Sequence, residues 1–101
     1  MRFLFTATFP HEPFNTLVRK KKAGGVLRRI LEDLKPETVF FTDDNGMRSA
    51  FMIVHLDDAS SIPRFCEPFL LNFNADIRFR LIMSPDELGK AGLDELGEKW
   101  G

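Results

Sequence analysis

The chain has 101 residues, 44% of them hydrophobic, and a formal net charge of −1. That length fits one domain, residues 1–101, with a core of modest depth, and the charge balance argues against nucleic acid as a partner. A single cysteine excludes an intrachain disulfide framework and suits a reducing, cytoplasmic compartment.

The opening run "MRFLFTATF" is rich in Phe and Thr and predicts a first strand over residues 2–9. A signal peptide is the weaker reading, because no small-residue cleavage site follows before Pro10. No stretch approaches the ~18–20 apolar residues that a membrane span needs, so no membrane partner is expected. From Phe14, apolar positions at helical spacing predict one helix to about Lys35, stopped by Pro36. Gly24 and Gly25 sit in its middle and either break it or let it pack closely on a sheet. "ETVFFTD" (37–43) and "MRSAFMIVHL" (47–56) predict the second and third strands. Asn45-Gly46 between them is a strong signal for a type I′ hairpin.

"DDASS" then offers helix caps. Ile62, Phe65, Cys66, Phe69, Leu70 and Phe73 follow at helical spacing, in a helix that Pro68 should bend or shorten. A fourth strand is predicted over 75–83. "SPDE" is a capping box for a terminal helix over 84–101 that carries Leu88, Leu93, Leu96 and Trp100. The order is βαββαβ with an extra C-terminal helix. It predicts an α+β, ferredoxin-like fold with a four-stranded antiparallel-type sheet. The first and third strands are expected to run parallel in its centre, with antiparallel edges.

Counting outward from the Asn45-Gly46 turn sets the hairpin register, with Asp43 opposite Arg48 as a modest ion pair. Opposed residues share a face. One face collects Val39, Phe41, Ala50, Met52 and Val54, joined by Phe3, Phe5, Ala7, Phe9, Ile77, Phe79, Leu81 and Met83, and belongs under the helices. The other collects Phe40, Phe51, Ile53 and His55, joined by Arg2, Leu4, Thr6, Thr8, Asp76, Arg78, Arg80 and Ile82. Such a mixed, open face marks an interaction surface, and a two-fold sheet-on-sheet homodimer would bury it.

In strand order, length and mixed outer face, the chain resembles the dimeric α+β barrel superfamily. The stretch "PRFCEPFLLNFNADIRFRLIMSPDEL" (63–88) is similar to the helix, strand and terminal helix of its small single-domain members. The resemblance implies a homodimer whose two sheets close into a barrel. The terminal helix, 84–101 with Trp100, reads either as packing on the partner subunit or, from its glycines, as a mobile lid or tail. It does not imply one chemistry. The superfamily holds cofactor-free monooxygenases, haem-degrading enzymes, muconolactone isomerase-like proteins and stress-responsive proteins.

Candidate chemistry is sparse. Asp43-Asp44 fits no calcium loop and reads as a turn. "RKKK" (19–22) reads as a solvated helical face, and Cys66 as a buried thiol. With the first and third strands taken as parallel, His55 comes to the same end of the sheet as Thr8, His11 and Arg78, with Thr6 and Arg80 one step inward and Phe51 as an apolar wall. Two imidazoles and two guanidiniums suit a small anionic or oxygen-rich ligand, with His55 as acid/base. Two histidines without a placed carboxylate or thiolate are a thin metal set, so neither metal nor cofactor is expected. The competing readings are a cofactor-independent enzyme and a non-enzymatic dimeric module. In the second, Arg78 and Arg80 make salt bridges across the dimer to Asp76, Glu37 or Asp43, and His55 is a satisfied interface residue.

Overall fold

A computed structural model of the chain describes residues 1–101. The strands are β1 (Arg2–Phe9), β2 (Thr38–Asp44), β3 (Met47–His55) and β4 (Asp76–Leu81). Helices α1 (His11–Arg19) and α2 (Ala23–Leu34) join β1 to β2. A 3₁₀ turn at Ala59–Ser61 and helix α3 (Ile62–Phe73) join β3 to β4, and α4 (Pro85–Gly89) and α5 (Leu93–Trp100) close the chain. The sheet order is β2-β3-β1-β4, and every neighbouring pair is antiparallel. This is the expected ferredoxin-like arrangement with an added C-terminal segment.

One expectation is corrected. β1 and β3 run antiparallel, pairing Arg2 with His55 and Thr8 with Ser49. The reason is connectivity. The helical crossover returns β2 parallel to β1, and the hairpin then reverses β3.

The hairpin itself follows its turn. Asn45 and Gly46 have φ of 53° and 79°, the left-handed pair a type I′ turn requires. Every pair from Val39↔Met52 to Asp44↔Met47 is in the expected register. Gly46→Ala should therefore cost about 1–2 kcal/mol, the penalty for a side chain at positive φ. Urea unfolding followed by circular dichroism checks this, and a change within error would mean that the turn relaxes without strain. The Asp43–Arg48 pair is in register, but no ion pair forms. Arg48 instead donates to Asn15 Oδ1 at 2.8 Å and lies 4.4 Å over the Phe14 ring.

The core lies between the sheet and α1–α3. Phe5, Phe9, Phe69 and Phe73 are fully buried with Ala7, Ala50, Met52 and Val54. Their rings meet edge-on or tilted: Phe9–Phe73 at 5.1 Å, Phe5–Phe79 at 5.1 Å and Phe5–Phe69 at 5.4 Å. Such pairs add about 0.5–1.5 kcal/mol each beyond area burial. The helices cover only the middle of the sheet. Phe41 on β2 is 52% exposed and Leu81 at the end of β4 is 62% exposed, although both share the helix-side alternation; Met83, expected to continue it, lies past the end of β4 and is 64% exposed.

The long first helix is two helices. The chain breaks at Lys20–Lys22, where Lys21 adopts φ 61°, so the basic run forms a bend and not a helical face. Gly24 and Gly25 lie in the first turn of α2 with open space beside them, neither breaking the helix nor packing closely. α3 runs through Pro68 to Phe73 without being cut short. The terminal helix is also split, at Gly92 with φ 75°. Its capping box forms as read: Glu87 N–H donates to Ser84 Oγ at 3.1 Å, and Ser84 N–H donates to Glu87 Oε1 at 2.8 Å.

Candidate functional site

The sheet's second face carries no helix. Its rungs, read from β4 across to β2, are Asp76–Thr8–Ser49–Thr42, then Arg78–Thr6–Phe51–Phe40, then Arg80–Leu4–Ile53–Thr38. A last rung pairs Arg2 with His55. Thr6, Thr8, Phe51, Arg78 and Arg80 thus share one face on consecutive rungs. His11, exposed at the start of α1, lies just beyond the Thr8 end.

His55 does not join them. The antiparallel course of β3 puts it opposite Arg2, six residues along β1 from Thr8. At ~3.4 Å per residue that is roughly 20 Å. The expected convergence of His55 with Thr8, His11 and Arg78 therefore splits into two ends, with Arg80 between them. Arg80 is one rung from His55, about 7 Å along the strands and two strand spacings across.

Each end has its own character. At the first, three hydroxyls share a rung: Thr8, Ser49 and Thr42. Ser49 is fully buried, and its hydroxyl has no hydrogen-bond partner. Arg78 and Arg80 are exposed and form no ion pair; the acid Glu37 that was one expected partner is engaged elsewhere.

At the second end, Glu37 bridges two open-face residues. Its Oε1 lies 3.3 Å from His55 Nε2, and its Oε2 accepts a hydrogen bond from Arg2 Nη2. The Arg2 hydrogen bond, aided by His55 and opposed by partial desolvation, holds the Glu37 carboxyl below its ordinary value of 4.5. With a depressed folded pKa, the linkage contribution is full above 4.5 and is lost as pH falls through the lower folded value. Across the range where an imidazole exchanges protons, the carboxylate stays ionised. A carboxylate behind an imidazole orients the ring, so Glu37 and His55 form the one acid/base constellation on the sheet.

Glu37 was considered only as a partner for Arg78 or Arg80. Strict alternation from Thr38 sends it to the helix side, but the strand begins at Thr38, so alternation stops before reaching it. Cys66 offers no second chemistry. Burial, then Glu67, pushes its thiol up, which disfavours the reactive thiolate. No group of three or more His, Cys, Asp or Glu side chains is placed to hold a metal ion. No helix is long and apolar enough to cross a membrane.

No family model matches the chain, and no curated protein sequence does. Among solved structures, the fold is that of 5-chloro-2-hydroxyhydroquinone dehydrochlorinase (TftG) from Burkholderia phenoliruptrix AC1100, in complex with 2,5-dihydroxybenzoquinone. The match has a TM-score of 0.57 at 20% identity and covers 85% of this chain and 98% of that one. The likeness is one of fold, and the α+β, ferredoxin-like fold expected from the sequence is the fold observed.

Proposed function

We propose that two copies of this cytoplasmic chain close their open sheet faces on each other, and that the enclosed space binds a small, oxygen-rich organic anion. The observation that carries this reading is the pair of unpaired guanidiniums, Arg78 and Arg80, on consecutive rungs beside Thr6–Phe51 and Leu4–Ile53. An unpaired arginine covered by a second sheet is costly unless an anion meets it. Arginine's planar fork suits carboxylate or enolate oxygens. Thr6 and Thr8 would donate to further oxygens, and Phe51 would pack on a ring. The Glu37-backed His55 is the residue fit for proton transfer, at the end of the ligand nearest Arg80. Such a site would run a cofactor-independent reaction such as an isomerisation or elimination. The fold neighbour's ligand, a quinone ring with four oxygens, belongs to the same chemical class.

Isothermal titration with 2,5-dihydroxybenzoquinone as the probe tests this. Charge-assisted hydrogen bonds contribute about 1.5–3 kcal/mol. Arg78→Ala and Arg80→Ala should therefore each weaken binding by at least about tenfold, while Lys90→Ala on the exposed α4–α5 turn leaves it unchanged. Equal affinity in both arginine variants, or no binding by the unaltered chain, rejects the site.

A further inference from the structure

The last eighteen residues have no body to pack on. All residues of α4 and α5 are exposed, including Leu93, Leu96 and Trp100, which stand at three- and four-residue spacing on one stripe. The molecule is 60 Å long against 29 Å in its second dimension, with a radius of gyration of 17.2 Å. A compact chain of this length measures about 13 Å. The excess is the projecting C-terminal arm. A helix of eight residues is marginal in water unless a surface receives its apolar stripe.

A receiving surface of the right chemistry lies elsewhere on the same chain. The side of α2 that meets the β2 edge forms a shallow groove of about 480 Å³, lined by Gly24, Leu27, Leu31 and Phe41 with Arg28 and Glu32 at its rim. Nothing lies within 4 Å of where a Gly24 Cβ would stand, so the groove floor is open to an incoming side chain. The charges are complementary. The arm, residues 84–101, has five carboxylates against two lysines, net −3. Arg28 stands at the groove, and the basic run Lys20–Lys22 immediately precedes α2, whose first turn carries the lining residue Gly24.

We propose that the arm of one chain docks its Leu93–Leu96–Trp100 stripe into the α2–β2 groove of a second copy. The placement rests on the sheet-to-sheet dimer proposed above. A two-fold axis along the strands brings the β4 edge of one sheet over the β2 edge of the other. The arm leaves from β4, so it emerges beside the partner subunit's β2 and α2. Each copy then gives one arm and receives one, and the uncovered Phe41 gains a cover.

Trp100 is the single tryptophan, and the chain has no tyrosine, so its emission reports the arm directly. At micromolar concentration the emission should be blue-shifted. It should move to the red on dilution, together with dissociation measured by sedimentation. Gly24→Glu, an exposed helical position with room for a side chain, blocks the groove with the wrong charge and should give red-shifted emission in a folded chain. Mixing it with a Trp100→Phe chain, whose groove is intact and which is silent, should restore the blue shift.

Fully exposed emission at concentrations where sedimentation finds a dimer overturns the arm exchange, keeps the sheet dimer and leaves the arm for another protein. A blue shift that neither dilution nor mixing changes means that the arm folds onto its own chain, and also overturns it. A monomer at all concentrations rejects both the sheet dimer and the exchange.

Discussion

Phe69→Ala should cost about 3–5 kcal/mol of folding stability, the usual loss for removing a buried Phe ring and leaving a cavity. Phe69 is completely buried, with ring centroids 5.4 Å from Phe5 and 6.1 Å from Phe9. It joins α3 to the centre of β1, and no smaller neighbour can move in to fill its place without breaking those contacts. Domains of this size rarely exceed about 5–15 kcal/mol in total, so the loss takes a large share of the whole. For a chain of about 100 residues each kcal/mol moves the thermal midpoint by about 4–8 °C, and the midpoint should fall by about 12 °C or more. Circular dichroism at fixed protein concentration is the proper readout, since Trp100 reports the arm and not the core. Leu71→Ala on the same helix, 79% exposed, is the control and should stay within about 0.5 kcal/mol. A loss for Phe69→Ala no larger than that of the control would mean that α3 is not seated on β1.

What the sequence made legible, and what it did not, divides along physical lines. Alternation assigns faces without regard to strand direction. The two faces could therefore be sorted residue by residue even with β3 taken in the wrong sense, and Thr6, Phe51, Arg78 and Arg80 still fell together. Direction decides which end a residue occupies, so His55 was misplaced by the length of the strand. Asn45-Gly46 and Ser84–Glu87 were readable because each is a local device, in which the residue type and the backbone geometry imply one another. The break at Lys20–Lys22 was not readable. Lysine is an ordinary helix former, and the apolar spacing runs on across the bend. Glu37 was hidden for a similar reason: it lies one residue outside the strand whose pattern was being extended. The open edges at Phe41 and Leu81 depend on how far three helices reach across four strands, a tertiary quantity that no periodicity encodes.

Ile53→Asp should raise the dimer dissociation constant at least about a hundredfold, a change of about 2.7 kcal/mol. Ile53 stands on the open face between Leu4 and Thr38, on the rung of Arg80. Its partner residues on that rung belong to the sheet and not to the core, so the protomer has little at stake there. In the proposed dimer the same position lies near the middle of the interface, where a carboxylate must be taken out of water without a designed partner. The two-fold axis places the change twice in each interface, which doubles the desolvation and brings two like charges together. Arg80 on the same rung is the one group able to offset part of this, and the double variant Ile53→Asp/Arg80→Ala should therefore dissociate further still. Sedimentation across a dilution series measures both. Urea unfolding below the dissociation constant should give Ile53→Asp the stability of the unaltered protomer within about 1 kcal/mol, which separates an interface effect from a folding one. An unchanged dissociation constant would show that the open sheet face is not where two copies meet, and the anion site that depends on its closure would fall with it.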